Sequence, residues 1–337
     1  MTIPNVVSEH FGVIIIIPAF NEEDYVKDTI SSIPKDIDLV ILINDGSTDL
    51  TVKNAENTFN NKKWSKIDNS SSKSNFLIIN QKNKGVGAAV CNGLKKSLDL
   101  FNSGKLTELF PDKEEWIIVI MDADGQMDPE DIKPLIQPLI TNRADHVKGD
   151  RFDLKGMPKS RKFGSFLLKK LMRFASGYPK INDTQCGYRA IKMNMLEKWD
   201  FSNFWSGFGY TNWWILESGR RSFRLEEIPV KCIYNGKKSK LKVRIFLPNV
   251  SLLIFMKLWR RGWDWYILGK GTESKSVRIC ISILWFSSLA SIISIPLFSI
   301  SGLKAIIYSA ISLFIVKKLD DNESERRLKS GKYPLIE

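Results

Sequence analysis

Short apolar runs rich in β-branched residues recur through the first part of the chain: Val13–Ile17, Leu39–Ile43, Phe76–Ile79 and Trp116–Met121. Each has the length of a buried strand. Helix-like segments lie between them, at about Glu22–Ile33, Asp49–Phe59 and Val86–Leu100. This alternation predicts an α/β domain whose central sheet is mostly parallel and carries helices on both faces. In such sheets, ligands bind where loops leave the carboxyl ends of the strands. Chemistry is therefore expected in the turns that follow the apolar runs.

Those turns are acidic. The fourth run leads into Asp122-Ala123-Asp124-Gly125-Gln126. Two carboxylates and an amide oxygen at one strand end form an oxygen-rich set suited to a hard divalent cation, Mg2+ or Mn2+. A diphosphate leaving group needs such a cation to offset the charge that builds as its bond breaks. A pair of aspartates at this spacing is common by chance, but it has company. The first run ends in Pro18-Ala19-Phe20-Asn21-Glu22-Glu23 and the second in Asn44-Asp45-Gly46-Ser47-Thr48-Asp49. Ser47 or Thr48 is expected to cap the following helix, and Gly46 allows a tight turn. Capping does not explain three acidic turns at one sheet edge. Carboxylates there can accept hydrogen bonds from a nucleoside base and ribose. Gly85-Val86-Gly87 is not read as a dinucleotide fingerprint, because it follows the third strand and lacks the third glycine.

Taken in order, PAFNEE, NDGSTD, NKGVGAA (Asn83–Ala89) and DADGQ resemble the GT-A nucleotide-sugar domain of family 2 glycosyltransferases. Gly149-Asp150-Arg151, Asp183–Arg189 (DTQCGYR) and Lys237–Leu241 (KKSKL) resemble the dolichyl-phosphate mannose synthase and polyprenyl-phosphate glycosyltransferase branch. The resemblance runs from about Val13 to Leu241. It implies that Pro18, Phe20, Glu22 and Asp45 hold the nucleoside, and that Asp122, Asp124 and Gln126 hold metal and diphosphate. It implies too that Lys237 and Lys240 close over the donor phosphates. Arg151 and Arg161 would grip an acceptor phosphate, a role that suits the bidentate geometry of guanidinium. Asp124, Arg151 and Arg161 would then carry catalysis. Two departures stand out: Phe20 replaces a frequent Tyr, and Thr211, Asn212 and Trp213 occupy a region where the family often has a carboxylate.

The implied reaction is inverting transfer from a nucleotide sugar, UDP-glucose or GDP-mannose first among the candidates, to a polyprenyl (undecaprenyl or dolichyl) phosphate. A lipid phosphate, with a second pKa of about 6, is already an anion and needs no general base. A hydroxyl acceptor would need one, and Asp183 is then the candidate. A membrane-tethered, non-catalytic nucleotide-sugar binder is a further alternative.

After the basic run Lys237–Arg244 comes Phe246–Trp259, which fits either an interfacial amphipathic helix or a soluble core helix. Trp259, Trp263, Trp265 and Tyr266 resemble an interfacial aromatic belt. Ile279–Leu303 carries no charged residue, and a membrane span needs roughly 20 apolar positions. With Ala305–Val316 it predicts a transmembrane helical hairpin. Lys270, Lys275, Arg278, Lys317 and Lys318 flank it and place the large domain on the cytoplasmic side. The expected partition is a GT-A domain over 1–241, an interfacial segment over 242–276, the hairpin over 277–319 and a cytoplasmic tail over 320–337. The expected partners are the nucleotide-sugar donor, the polyprenyl phosphate and the lipid bilayer, with homo-oligomerisation through the hairpin.

The net charge of +13, from 50 Lys and Arg against 37 Asp and Glu, fits anionic lipid and phosphorylated substrates. Its concentration beside the apolar segment, and the lack of any recognised nucleic-acid module, argue against nucleic acid. Four dispersed cysteines indicate neither a zinc site nor a disulfide framework. Met1–His10 has no secretory signal pattern.

Overall fold

The apolar runs become four adjacent parallel strands of one sheet. The structure, a computed structural model, describes residues 10–67, 76–151, 159–231, 233, 243–270, 274–298 and 302–330. It divides into two compact units. One comprises residues 1–161, 182–213 and 224–250, and the other comprises residues 162–181, 214–223 and 251–337.

In the first unit, β1 (Phe11–Ala19), β2 (Leu39–Asn44), β3 (Phe76–Asn80) and β4 (Glu115–Ile120) realise the four predicted strands. The chain continues into β5 (His146–Arg151), β6 (Arg189–Lys192) and β7 (Leu225–Val230). The sheet order among the described residues is β3-β2-β1-β4-β6-β5-β7. β6 is antiparallel to both its neighbours, and the other pairings are parallel. The carboxyl ends of β1, β2, β4 and β5 therefore lie along one edge, and the loop entering β6 arrives at that same edge. Ile14–Ile17, Leu39–Ile43 and Ile117–Ile120 are fully buried. Strands buried on both faces need uninterrupted apolar sequence, which is why these runs were readable.

The helices α1 (Val26–Ser32), α2 (Thr51–Asn61) and α3 (Val86–Asn102) fall where the sequence predicts them. Helix α1 starts later than Glu22, because residues 22–25 form a turn in which the Tyr25 and Val26 N–H groups donate to the Glu22 carbonyl. Neither Ser47 nor Thr48 caps α2. Ser47 Oγ accepts the Asn21 N–H and the Thr48 N–H donates to Asn21 Oδ1, so the two loops are sewn together. Asp49 Oδ1 instead accepts the Thr51 N–H at the start of α2. Gly85 has φ +94°, and a Cβ on Gly87 would stand 2.1 Å from the Trp205 carbonyl oxygen. The glycines of NKGVGAA thus admit the 205–207 backbone against α3. Helices α4 (Lys105–Leu109), α5 (Ile132–Ile140) and α7 (Met193–Leu196) complete the described helices that lie wholly in this unit; α6 (Lys159–Ser176), α8 (Tyr210–Arg220) and α9 (Val243–Gly262) each run from one unit's residues into the other's.

The second unit is helical, and takes in most of α6, the end of α8, most of α9, a π-helical turn at Trp263–Ile267, α10 (Lys275–Phe298) and α11 (Gly302–Ser330). Helices α10 and α11 pack on each other, with Ser288 Oγ 2.7 Å from Ser309 Oγ and Ser291 Oγ donating to the Ala305 carbonyl at 3.1 Å. No helix among the described residues is long and apolar enough to cross a membrane, so the transmembrane character expected over 277–319 is not supported. The expected aromatic belt also separates. Trp265 and Tyr266 are buried, Trp265 Nε1–H donating to the Arg220 carbonyl and Tyr266 Oη–H to Asp320. Only Trp263 of this group is strongly exposed, while Trp259 packs on Trp285.

Buried charge organises this unit. The Arg261 guanidinium is bidentate on Asp320, at 2.9 and 2.7 Å, and also donates to the carbonyls of Phe174 and Ala175. Glu217 receives Arg220, Arg221 and Lys257, and Asp264 receives Arg220. Burial pushes the Glu217 carboxyl up, but Lys257, Arg220 and Arg221 outweigh it and hold it below its ordinary value.

Candidate active site

The turn after β4 places Asp122 in the interior. Its N–H donates to Met127 Sδ at 3.3 Å, and its Oδ1 is buried with no hydrogen-bond partner. Gly125, at φ +71°, lets the chain reverse, and Asp124 Oδ1 accepts the Gln126 N–H at 3.1 Å. Burial, then the negative charges of Asp124 and Glu22, push the Asp122 carboxyl up to about 7, while Arg151 and Arg189 act in the opposite direction. The structure therefore brings Asp124, Glu22 and Arg151 within electrostatic reach of Asp122.

An orphaned buried carboxylate oxygen beside further carboxylates fits a hard divalent cation. Among the described residues, no three His, Cys, Asp or Glu side chains converge in metal-binding geometry. Asp122 and Asp124 suit a cation that takes its remaining oxygens from a phosphorylated ligand and water, the usual habit of Mg2+.

The loop into β6 closes against this point. A Cβ on Gly187 would lie 3.2 Å from Asp122 Oδ2 and 3.0 Å from Tyr210 Oη, so only glycine leaves this approach unstrained. Arg189, fully buried, donates to the carbonyls of Cys186 and Thr211 at 2.6 and 3.3 Å. Sequence reasoning assigned no role to Arg189 or Tyr210. The signal was available in DTQCGYR, where an arginine enters a strand that pairs with β4.

Of the residues expected to hold the nucleoside, Pro18 is the penultimate residue of β1, Phe20 is exposed and Glu22 is buried. Asp45, expected to hold the nucleoside directly, is itself held. It accepts Gln81 Nε2–H at 2.7 Å and the Lys84 and Gly85 N–H groups at 2.8 Å each. These bonds shape the loop between β3 and α3.

Arg151 ends β5 and forms a two-pronged pair with Asp183, Nε–H donating to Oδ2 at 2.6 Å and Nη2–H to Oδ1 at 3.1 Å. Burial pushes the Asp183 carboxyl up, but Arg151, Lys148 and the Gln185 N–H hold it below the ordinary carboxylate value. That makes it a weaker base than an ordinary carboxylate. Lys237, Lys240 and the side chain of Arg161 lie outside the described residues.

The family described as Glycosyl transferase family 2 matches residues 14–200, more than half of the chain. The chain belongs to that family.

Within this glycosyltransferase family, the chain is 29% identical over 228 residues to the UDP-N-acetylglucosamine--dolichyl-phosphate N-acetylglucosaminyltransferase of Methanococcus voltae, covering 65% of this chain and 85% of that one. It is 28% identical to the dolichol-phosphate mannosyltransferase of Pyrococcus furiosus, over 54% of this chain and 47% of that one. Among solved structures it resembles glucosyl-3-phosphoglycerate synthase from Mycobacterium tuberculosis, crystallised with Mn2+, UDP and glucosyl-3-phosphoglycerate. The TM-score is 0.51 at 16% identity, over 74% of this chain and 79% of that one. At that identity the likeness concerns the fold: a GT-A-like α/β domain with a mostly parallel sheet.

Proposed function

We propose that this family 2 glycosyltransferase moves a sugar from a nucleotide-sugar donor to a polyprenyl phosphate, dolichyl or undecaprenyl, with inversion at the anomeric carbon. The observation that carries the reading is the Arg151–Asp183 pair at the sheet edge that also holds Asp122. It offers a fixed cation for an anionic acceptor and makes the leading candidate base a weak one. The activities for which the Methanococcus and Pyrococcus relatives are named support the same acceptor class.

The chemistry then rests on alignment. Glu22 and the loop shaped by Asp45 would receive the nucleoside, with Pro18 and Phe20 beside it. Asp122 and Asp124 would hold Mg2+ or Mn2+, which when bound supplies charge neutralisation for the departing nucleoside diphosphate. Arg151 would set one phosphate oxygen of the acceptor in line with the donor's anomeric carbon, Arg161 assisting. That oxygen is already an anion, so no proton need be removed. Lys237 and Lys240 are assigned to the donor phosphates on the strength of the KKSKL resemblance. UDP-glucose, GDP-mannose and, given the Methanococcus relative, UDP-N-acetylglucosamine are the donors to test.

The test is transfer of each radiolabelled sugar in turn by the purified chain, with polyprenyl phosphate and Mn2+ or Mg2+. One donor is expected to give a mild-acid-labile lipid that chelator abolishes. Tight nucleotide-sugar binding with no transfer from any donor would instead make the chain a binder.

We further propose that the α10–α11 hairpin associates with a bilayer, the catalytic unit lying on the cytoplasmic side. The pair is inverted relative to a soluble one: Ser288, Ser309, Ser312 and Ala305 are buried, while Ile283, Ile306, Ile311 and Phe314 are exposed. Small and polar residues between helices with apolar residues outside is the pattern of helices in an apolar medium. The basic flanks Lys275, Arg278, Lys317 and Lys318 favour the cytoplasmic face. The chain is expected to float with phospholipid vesicles even in 1 M salt, roughly where surface charge is screened within 3 Å. Release by salt would reduce the association to charge alone.

A further inference from the structure

We infer that Asp183, itself held by Glu227 and Lys148, is a positioning residue that orients the Arg151 guanidinium toward an anionic acceptor. The inference rests on the phosphate-acceptor reading above.

The chain of contacts begins inside the sheet. β5 and β7 run parallel with Lys148 in register with Glu227. Lys148 is fully buried, its Nζ donating to Glu227 Oε1 at 2.7 Å and to the Gly149 carbonyl at 3.0 Å. A buried ammonium is costly unless closely paired, so its presence in a strand next to the site calls for a reason. The Glu227 carboxylate reaches on to accept the Asn182 N–H at 2.9 Å and the Asp183 N–H at 3.2 Å. This pins the first residues of the loop that enters β6. Asp183 then takes both Nε–H and Nη2–H of Arg151. Two near-parallel hydrogen bonds fix the plane of a guanidinium as well as its place. A single plane is what in-line presentation of a phosphate oxygen requires.

A purely structural role for Asp183 is the competing explanation, because its Oδ1 also accepts the Gln185 and Cys186 N–H groups at 2.9 and 3.1 Å. The two roles overlap at one oxygen only. Oδ2 takes Arg151 Nε–H and the Arg151 backbone N–H, while Oδ1 takes Arg151 Nη2–H as well as the N–H groups of the turn. Asp183→Asn, with its amide oxygen in the Oδ1 place, keeps the turn and presents an NH2 group to Arg151 Nε–H. It breaks the Nε–H prong and removes the carboxylate charge, leaving one bond where two fixed the guanidinium plane, and spares the loop.

The experiment compares the full-length wild type, Asp183→Asn, Arg151→Ala and the double variant, measuring KM for polyprenyl phosphate, KM for the donor, kcat and Tm. Asp183→Asn is expected to raise the acceptor KM about tenfold, in line with loss of a charge-assisted pair, with donor KM and Tm unchanged. The double variant is expected to be no worse than Arg151→Ala. A wild-type acceptor KM in Asp183→Asn, or effects that multiply in the double variant, would overturn the inference. So would a fall in Tm with both KM values moving together. Glu227→Gln, which keeps one acceptor oxygen, is the second variant. It should move the acceptor KM in the same direction, and an unchanged value removes the Lys148–Glu227 support. A wild type that glycosylates polyprenol but no polyprenyl phosphate would sink the acceptor reading together with this inference. A wild type active on the phosphate with Asp183→Asn unchanged would sink this inference alone.

Discussion

Asp122→Asn is expected to lower transfer by a factor on the order of 10^3, the scale seen when a preorganised electrostatic contact at a transition state is lost, without lowering the melting temperature. The two halves of this result have one cause. Asp122 Oδ1 is buried and unpartnered, and Asp124 and Glu22 place further negative charge around it. In a protein without ligand such a carboxylate opposes folding, so its neutral amide should cost nothing in stability and can add some. A residue kept against the interest of the fold is one that serves the ligand. Steady-state transfer and a thermal melt in the absence of metal check both halves. A melt lowered by several degrees would make Asp122 a structural residue. Undiminished transfer would remove the cation and diphosphate from this turn.

Asp320→Ala should do the reverse, damaging the fold rather than the chemistry. It strands the Arg261 guanidinium, which is buried and bidentate on Asp320, and removes the acceptor of the Tyr266 hydroxyl. Breaking one partner of a buried pair costs about 3–5 kcal/mol. In a unit of this size that corresponds to a fall of roughly 12–20 °C in its melting transition. Circular dichroism of the full chain would register the loss, and a shift within a degree or two would show that Arg261 finds water or another carboxylate. The prediction bears on how the C-terminal helix is held: α11 carries both Asp320 and Arg327, whose guanidinium lies 3.8 Å from the Trp265 ring centroid.

What could be read from the sequence follows from the range of the interactions involved. β1, β2 and β4 were legible because burial on both faces demands unbroken apolar residues. The acidic turns were legible because a polar cluster directly after such a run marks a strand end. β5 was not, since His146–Arg151 (HVKGDR) spends a lysine in the interior and reads as a loop until Glu227, in register on β7, is known. Asp183 looked like a base because its partner Arg151 lies 32 positions away. Trp265 and Tyr266 looked like a membrane belt for the same reason, their partners Arg220 and Asp320 being remote in sequence. Nor does an apolar run show that residues 162–181 and 214–223 join the C-terminal helices in one unit. Local pattern identifies elements; pairing of buried charge, which is non-local, decides what the polar residues between them do.

The most direct measurement is a paired acceptor assay with one donor: polyprenyl phosphate against the free polyprenol of the same chain length, in Mn2+, with the purified full-length chain. A site built around Arg151 and a suppressed Asp183 base predicts transfer to the phosphate and essentially none to the alcohol. Equal or preferential transfer to the alcohol would mean that a base operates in this site, and would contradict the account.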